Sequence, residues 1–557
     1  MAVVVLALQS YASANVAADA EREAERIQRD LQERIEQDRR AADQRSPPLG
    51  LEIIPQQAPE SDSDQPCRVI SQIDFTGVSL LSQAELDALR QPYLGECLTV
   101  SDIERLLSEV TGAYIRRGLV TARVYIQAQD LASGVLEVLV LEGKVDSIML
   151  DDGGQDSINL QTAFPGLVGR PFNLRDFEQG LDQINRLISN NAVIDLRPGS
   201  EPGASDVIIR NQPGRRWRIN ATLDNYGSTS TGRNQGGANL SLDNPLSLND
   251  SLTLVFRRTL GEDFSRRGSE SRSVFYSLPY GYNTFNASYS SSRYATPLDL
   301  PGGELIADGT QENMILGADR VLMRDAQSRL GVSANLIYKD SENFFAGQLL
   351  DVSSRALSVL ELGINWSSLV ASGAFSARLG YQRGLGWFGT LEDEPGRPSQ
   401  LPQAEFDKWT VSMGWLRPFD LGGQAFRYNS RVEAQTSPDV LYGSEQFSIG
   451  SLYTVRGYRD SSLSGDRGYF WRNELSHLRQ AALGNYSMFL RPFVAFDTGR
   501  ILSRREVSGG RLYSASIGLA LSAQHLSLEL LGTQPLSVPD TIEDEGFETF
   551  ANLTLSF

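Results

Sequence analysis

The chain contains only two cysteines and two histidines among its 557 residues. These are too few for most zinc sites, so neither a metal nor another cofactor is expected. Two cysteines in a long chain are compatible with one disulfide in an oxidising compartment or with two free thiols. The chain also lacks a phosphate loop of the form G-x-x-x-x-G-K-S/T and a nucleophile elbow of the form G-x-S-x-G.

Long apolar runs are missing as well. The longest, residues 2–8, is far shorter than the roughly 18 to 20 residues that a membrane helix requires, which argues against a helical membrane protein. A membrane β-barrel is still compatible with the sequence, because its lipid-facing residues alternate with polar ones and produce no hydropathy peak. The net charge of −18 argues against nucleic acid as a partner, since phosphates attract Lys and Arg.

The first 66 residues fall into three segments. Residues 1–20 resemble part of a secretory signal, although no basic residue precedes the apolar stretch. Residues 21–40 are highly charged and contain neither Gly nor Pro, which predicts a helix; it is either solvated, part of a short coiled coil, or a detachable helix in a polar cavity. Residues 41–66 are rich in proline and predict an extended linker. The apolar residues of the predicted helix recur every four positions, at Ile27, Leu31 and Ile35.

Two consecutive segments, 67–144 and 145–212, share one order of elements: strand, helix, helix, strand, strand. This order predicts an internal repeat of small α+β modules. In the first module, strands are predicted at residues 69–75, 121–127 and 135–142, with helices at 82–89 and 100–115. In the second, strands are predicted at 145–150, 193–196 and 206–210, with helices at 159–164 and 174–188.

From about residue 215 onward, alternating strands follow one another with turn residues between them. In residues 551–557, Ala, Leu, Leu and Phe occupy one face and Asn, Thr and Ser the other. A soluble sandwich would alternate in the same way, but roughly 340 residues far exceed the roughly 100 of a typical sandwich. The region therefore favours a membrane barrel of about 16 strands, with an apolar outer face and a wet lumen.

Several short motifs accompany this pattern. Cys67 stands directly before the first predicted strand, and Cys97 lies just ahead of the second helix. The most specific motif is Val455-Arg456-Gly457-Tyr458, which is preceded by Phe-Ser-Ile-Gly at 447–450. Asp497 and Gly499 follow on a later strand. Arginine offers a rigid fork of donors to a carboxylate and glycine permits a tight turn, although alone Arg456 could be a surface residue of an exposed loop. Turn residues open the strand-rich region at 224–227, 231–232, 243–245 and 249–250.

In the order of these motifs the chain resembles the two-partner secretion transporters of the TpsB type, within the superfamily of POTRA-plus-barrel translocators. The resemblance implies a transmembrane β-barrel of about 16 antiparallel strands, preceded by two α+β POTRA modules and an N-terminal plug helix. The implied domains are a signal-like segment, the plug helix, a linker, two POTRA modules and the outer-membrane barrel, at residues 1–20, 21–40, 41–66, 67–144, 145–212 and 213–557.

The resemblance also implies roles for individual residues. Cys67 and Cys97 would form a disulfide. The Val455–Tyr458 tetrapeptide would lie at the tip of a long loop that folds back into the barrel, with Asp497 and Gly499 as its partners on the wall. Phe557, the last residue of an alternating strand, would belong to the signal that directs barrel assembly.

The function implied is export of a large partner protein across the bacterial outer membrane without ATP, with the POTRA modules in the periplasm. The implied partners are a secreted passenger with an N-terminal secretion domain, outer-membrane lipid and the barrel-assembly machinery, and the transporter would be a monomer without enzymatic activity. Three alternatives stay open: a barrel-assembly insertase, which usually carries more POTRA modules; a passive porin, which needs no docking modules; and an outer-membrane enzyme, for which only His477 and His525 could supply a histidine base.

Overall fold

The computed structural model describes residues 66–300, 303–483, 486–502 and 509–557. The signal-like segment, the predicted plug helix with Ile27, Leu31 and Ile35, and the linker up to residue 65 lie outside the described residues. Within the described ranges no helix combines the length and the apolar character needed to cross a membrane.

The first module packs two helices on a three-stranded sheet of order β2-β5-β4, in which β2 and β5 are parallel. Both helices begin at capping boxes, Ser82 with Glu85 and Thr99 with Asp102, which satisfy the first free backbone N–H groups. Its elements are β1 Arg68–Val69, β2 Gln72–Thr76, α1 Gln83–Arg90, β3 Cys97–Leu98, α2 Val100–Arg116, β4 Arg123–Tyr125 and β5 Val135–Leu141.

The single strand predicted at residues 69–75 is wrong, because the chain forms two strands there. Ile70 is buried, and its backbone N–H donates to Glu96 O (3.1 Å). The short β1 therefore pairs with β3, and only β2 joins the main sheet. The alternation of residues 69–75 predicts one continuous strand. Pairing with the segment ahead of α2, which is tertiary, divides it into two.

The second module repeats the plan with a sheet of order β6-β8-β7. Three aromatic rings fill its core, and Phe172 and Phe177 stack at 4.8 Å between centroids with Phe164 beside them. Asn159 caps a single helical turn rather than starting a longer helix. The elements are β6 Lys144–Asp151, α3 Leu160–Ala163, α4 Leu174–Asn185, β7 Val193–Pro198 and β8 Ala204–Arg210.

Sixteen antiparallel strands close into a barrel, which confirms the predicted architecture. The wall strands are β9 Trp217–Asp224, β10 Gln235–Asp243, β11 Ser251–Thr259, β12 Gly268–Tyr280, β13 Asn283–Leu300, β14 Gly303–Arg324, β15 Ser328–Phe345, β17 Arg355–Val370, β18 Gly373–Leu385, β19 Asp407–Leu421, β20 Gln424–Thr436, β23 Gly468–Leu483, β24 Tyr486–Ile501, β25 Gly510–Ala523, β26 Leu526–Ser537 and β27 Glu548–Ser556. β16 Gln348–Leu349 extends one hairpin, and β21 Phe447–Ile449 pairs with β22 Leu463–Gly465 inside a loop. The last strand, β27, pairs with the first, β9.

The two faces of the wall differ as the alternation predicts. Apolar side chains such as Leu223, Phe256 and Ile517 are exposed on the outer face, while polar ones such as Ser241 and Ser516 are buried within the barrel. His525 lies in the turn between β25 and β26, where its Nδ1 lies 3.0 Å from Ser556 O.

The second module docks onto the short turns at one end of the barrel. Asn249 Nδ2 donates to Asn159 O at 2.7 Å. Arg324, which ends β14, lies 2.6 Å from Asp182 and 3.5 Å from Glu178, both on α4. These polar contacts attach the second module to the end of the barrel opposite the long loops.

Candidate functional site in the barrel lumen

The loop between β20 and β23, residues 437–467, lies inside the barrel. Its β21–β22 hairpin runs from the pair Phe447 and Gly465 to the pair Ile449 and Leu463. The side chains of Val455 and Tyr458 are fully buried. A loop joining two neighbouring strands at the rim would be solvated if it pointed outward, so burial of its tip means that it folds back into the lumen.

Two glycines permit this approach. Gly457 has φ +98°, and a Cβ there would lie 3.0 Å from Thr533 Oγ1 on the wall. Gly499 leaves space on β24, where a Cβ would lie 2.8 Å from Val455 Cγ2. A larger residue at either position would push the loop tip away from the wall.

Arg456 and Asp497 form a bidentate ion pair between the loop and β24. Arg456 Nε donates to Asp497 Oδ2 at 2.6 Å and Nη2 to Oδ1 at 2.8 Å. The side chains are only 4% and 1% exposed, so both charges depend on each other and on their neighbours for compensation. The structure thus brings together two sequence-predicted residues that are 41 positions apart.

Glu474 is a further partner that sequence reasoning missed. It lies on β23 and accepts from Arg456 Nη1 at 3.2 Å and from Arg491 Nη1 at 2.6 Å. Arg472, two residues earlier on the same face, donates to the backbone carbonyls of Leu452 and Tyr453 at 3.1 and 2.6 Å. Period-two spacing in the sequence places these two charged residues on one face but does not say that they point to the loop.

Tyr458 attaches the loop to two other wall strands. Its hydroxyl oxygen lies 2.9 Å from Tyr513 O on β25 and 2.6 Å from Ser537 O at the end of β26. A buried phenol needs such a partner. Together with Arg456, this tyrosine fixes the tip against adjacent strands, β24 to β26.

The beginning of the loop is held on another part of the wall. Glu445 is buried and accepts from Lys339 Nζ at 2.6 Å and from Lys408 Nζ at 2.8 Å. These lysines lie on β15 and β19. The two ammonium groups compensate the buried negative charge of the carboxylate. No local sequence pattern predicts this contact.

The other sequence-predicted residues lie outside the lumen. Cys67 and Cys97 are joined by a disulfide, with Cα atoms 5.3 Å apart, beside the β1–β3 pair. Phe557 follows β27 with its side chain exposed, and its backbone N–H donates to Ile219 O at 2.9 Å. His477 stacks on Phe426, with the two ring centroids 4.9 Å apart.

Glu142 is a carboxylate of the first module that accepts several hydrogen bonds. It accepts from the backbone N–H groups of Ser79 and Leu80 at 2.8 and 2.7 Å and from Tyr114 Oη at 2.8 Å. Partial burial raises the pKa of Glu142, but these hydrogen bonds favour the ionised form and hold the pKa below its ordinary value. The carboxylate thereby ties the start of α1, the end of α2 and β5 together.

A 16-stranded barrel with a loop in its lumen and two α+β modules at one end defines an outer-membrane translocator of the POTRA-plus-barrel class. Family models support this class along the chain: residues 203–521 match the haemolysin secretion/activation protein family ShlB/FhaC/HecB, 69–143 the ShlB-type POTRA domain, and 144–198 a POTRA domain. The chain belongs to the ShlB/FhaC/HecB family of haemolysin secretion/activation proteins.

Known relatives agree with the family assignment. The chain is 32% identical over 543 residues to the outer membrane transporter CdiB of Escherichia coli O6:K15:H31, covering 95% of this chain and 90% of the relative. It is 36% identical over 476 residues to the hemolysin transporter protein ShlB of Serratia marcescens, covering 85% and 83%. The solved structure of CdiB from Escherichia coli superposes with a TM-score of 0.87 at 31% identity, covering 96% of this chain and 98% of that one. The protein is thus an outer-membrane transporter of two-partner secretion, with its POTRA modules in the periplasm.

Proposed function

We propose that this chain exports one large secreted passenger, which the POTRA modules capture unfolded and the lumen conducts outward without nucleotide hydrolysis. The observation that carries the proposal is the loop held within the lumen by the buried Arg456–Asp497 pair. A loop attached in this way is a part of the conduit that can be moved without breaking the backbone ladder of the wall.

Capture by strand addition is the first step of the proposed mechanism. β7 is an edge strand that pairs with β8 on one side, and no strand among the described residues pairs with its other side. Val193 and Leu196 are exposed on it. An extended passenger segment with an N-terminal secretion domain can add to such an edge through main-chain hydrogen bonds.

Passage through the lumen is the second step. The loop and its attachments fill space that an extended chain must cross, so the loop has to shift during export. The lumen wall offers polar and charged groups of both signs, including Arg431, Glu433 and Lys408. Such a lining suits an unfolded chain, because it keeps the backbone of that chain solvated. The lining also offers no large apolar surface to which the chain would bind tightly.

Release outside the cell supplies the direction. A passenger that folds or binds outside the membrane can no longer return through the pore, because only unfolded chains pass. This shifts the distribution of the passenger toward the outside. The name of the Serratia relative, hemolysin transporter protein, supports a protein passenger for this chain too.

Further partners follow from the barrel itself. Outer-membrane lipid would contact the outer apolar face, and the barrel-assembly machinery would recognise the last strand with Phe557. We propose a monomer, because a closed barrel encloses its conduit within one chain, and a transporter without catalytic activity.

The test is co-expression with the large open reading frame adjacent to the gene, followed by measurement of passenger in the medium. Secretion with the intact chain and none with a vector lacking it supports export. Small solutes crossing the membrane while the passenger stays in the periplasm would instead favour a porin. A general loss of other outer-membrane barrels in a deletion strain would favour an insertase.

A further inference from the structure

The seam that closes the barrel is shorter than the ladders beside it. β27 and β9 form five register pairs, from Asn552 with Asp224 to Ser556 with Asn220. By contrast, β9 forms eight pairs with β10, and β27 forms eight with β26. The part of β27 nearest the long loops, residues 548–551, therefore extends beyond the ladder with β9. Asn225, directly after β9, connects to this part through its backbone N–H, which donates to Ala551 O at 3.2 Å, and its Nδ2, which donates to Thr549 O at 3.0 Å.

Arg459 of the inward loop lies across this end of the seam. On the β9 side its Nη1 donates to the carbonyl oxygens of Asn225 and, at 2.9 Å, Gly227. On the β27 side its Nη2 donates to Thr549 O at 3.0 Å and its Nε to Glu548 Oε2 at 2.9 Å. The guanidinium side chain is 2% exposed.

The surrounding groups hold Arg459 in this position. Its guanidinium carbon lies 4.2 Å from the ring centroid of Phe550 on β27. Its backbone N–H donates to Glu545 at 2.6 Å, just before β27. The next residue, Asp460, accepts from the backbone N–H of Thr229 at 2.8 Å, just after β9. The loop is thus attached to both strands of the seam, and only an arginine fork offers enough donors to span them.

We propose that Arg459 is a positioning residue that closes the loop-side end of the β27–β9 seam, so that seam closure and the inward position of the loop form one coupled equilibrium. When the loop leaves, the carbonyls of Asn225 and Gly227 lose the Arg459 donor, and Thr549 O keeps the donor Asn225 Nδ2 at 3.0 Å. The loop-side end of the seam then depends on the bonds of Asn225 to Thr549 and Ala551. By reciprocity, an open seam weakens the hold on the loop. Export would use this coupling, but the coupling itself involves no passenger and is tested without one.

Hydrogen–deuterium exchange of the full-length barrel in detergent micelles tests the proposal. Replacing the fork by Arg459→Gln should speed amide exchange at the end of β9 and the start of β27 by about tenfold or more, since hydrogen bonds to charged groups are lost there. Exchange in β17 and β18 should stay unchanged. The matched control, Arg378→Gln, removes a lumen arginine that pairs with Glu361 across β18 and β17, and it should leave the seam protected.

Unchanged seam exchange in Arg459→Gln, or an equal increase in every strand, would overturn the proposal. So would the same seam increase in the Arg378→Gln control. The location of the change separates a positioning role from general destabilisation, which would spread around the whole barrel.

A second variant keeps the test decisive if Arg459→Gln fails to assemble. Leu223 and Leu553 are register partners on the outer face of the seam, so Leu223→Cys with Leu553→Cys can link β9 to β27. This link should restore heat-modifiable barrel to the Arg459→Gln chain. The matched link between register partners Ile364 and Leu379, on β17 and β18, should not. Equal recovery by both links, or by neither, refutes the proposal.

Discussion

Removing the Arg456 guanidinium tests the loop attachment most directly. The Arg456→Ala change deletes both bonds to Asp497 and the bond to Glu474, and it leaves Asp497 with a side chain that is 1% exposed. The backbone N–H of residue 456 stays 3.3 Å from Asp497 Oδ2 and compensates only part of the charge. We expect secretion to be abolished or strongly reduced while the amount of barrel stays near normal, because the ladder and the outer face are untouched.

The magnitude follows from burial. Breaking a buried pair by removing one partner costs about 3–5 kcal/mol. At about 1.4 kcal/mol per factor of ten, the equilibrium constant that favours the inward loop position would fall by roughly two to three and a half powers of ten. Asp497→Ala should act alike, although Glu474 still offers Arg456 one carboxylate. The double variant should therefore be much less than additive.

The assay compares passenger in the medium with heat-modifiable barrel in the outer membrane for the two single variants and the double variant. The matched control is Arg378→Ala, which removes another lumen arginine without touching the loop. Simple addition of the two single effects would show that Arg456 and Asp497 do not work as a pair. Secretion at the wild-type level by Arg456→Ala would remove the loop from the mechanism.

Four further outcomes are expected. Non-reducing mass spectrometry should find Cys67 linked to Cys97, and loss of the link, which closes a loop of 30 positions, should lower the stability of the first module by about 3 to 4 kcal/mol. Deleting residues 21–40 should raise single-channel conductance in planar bilayers. Deleting Phe557 should lower the amount of heat-modifiable barrel. The pKa of Glu142 is lower in the folded protein than in the unfolded chain. The stabilisation that its carboxylate provides is therefore complete above the unfolded pKa of about 4.3 and is lost as the pH falls through the folded pKa. Glu142→Gln should make the first module of the full chain protease-sensitive at pH 7, with little further change on acidification.

Each of these outcomes has a contrary result. Two alkylated thiols in the mature protein would refute the disulfide. Unchanged conductance would leave the N-terminal segment as a solvated helix outside the pore, and normal assembly of the shortened chain would remove the last residue from the assembly signal. A glutamine variant as protease-resistant as the wild type at neutral pH would show that the carboxylate does not hold the first module together. A Glu85→Gln variant is the control for that measurement, because Glu85 is also a hydrogen-bonded carboxylate of this module but lies on its exposed surface.

Part of the site was predictable because its two motifs, in this order, resemble those of a known family. Val455–Tyr458 and Asp497 were predicted to meet, and the structure places the guanidinium on the carboxylate. Glu474 and Arg459 were not predicted, because each is one charged residue among many in a chain where 22% of the residues are charged. Their partners lie 17 to 234 positions away, and no local pattern encodes such distances.

The sequence by itself determined the order of the modules, the helix starts and the two faces of the barrel wall. These features depend on spacing within a few residues, such as the capping boxes at Ser82 and Thr99 and the alternation along β27. Only the tertiary structure decided where the chain closes on itself, which side chains meet in the lumen, and that residues 69–75 divide between two sheets. The physical reason is that ladder register, seam length and buried ion pairs join residues far apart in the chain, so they exist only once the barrel has closed.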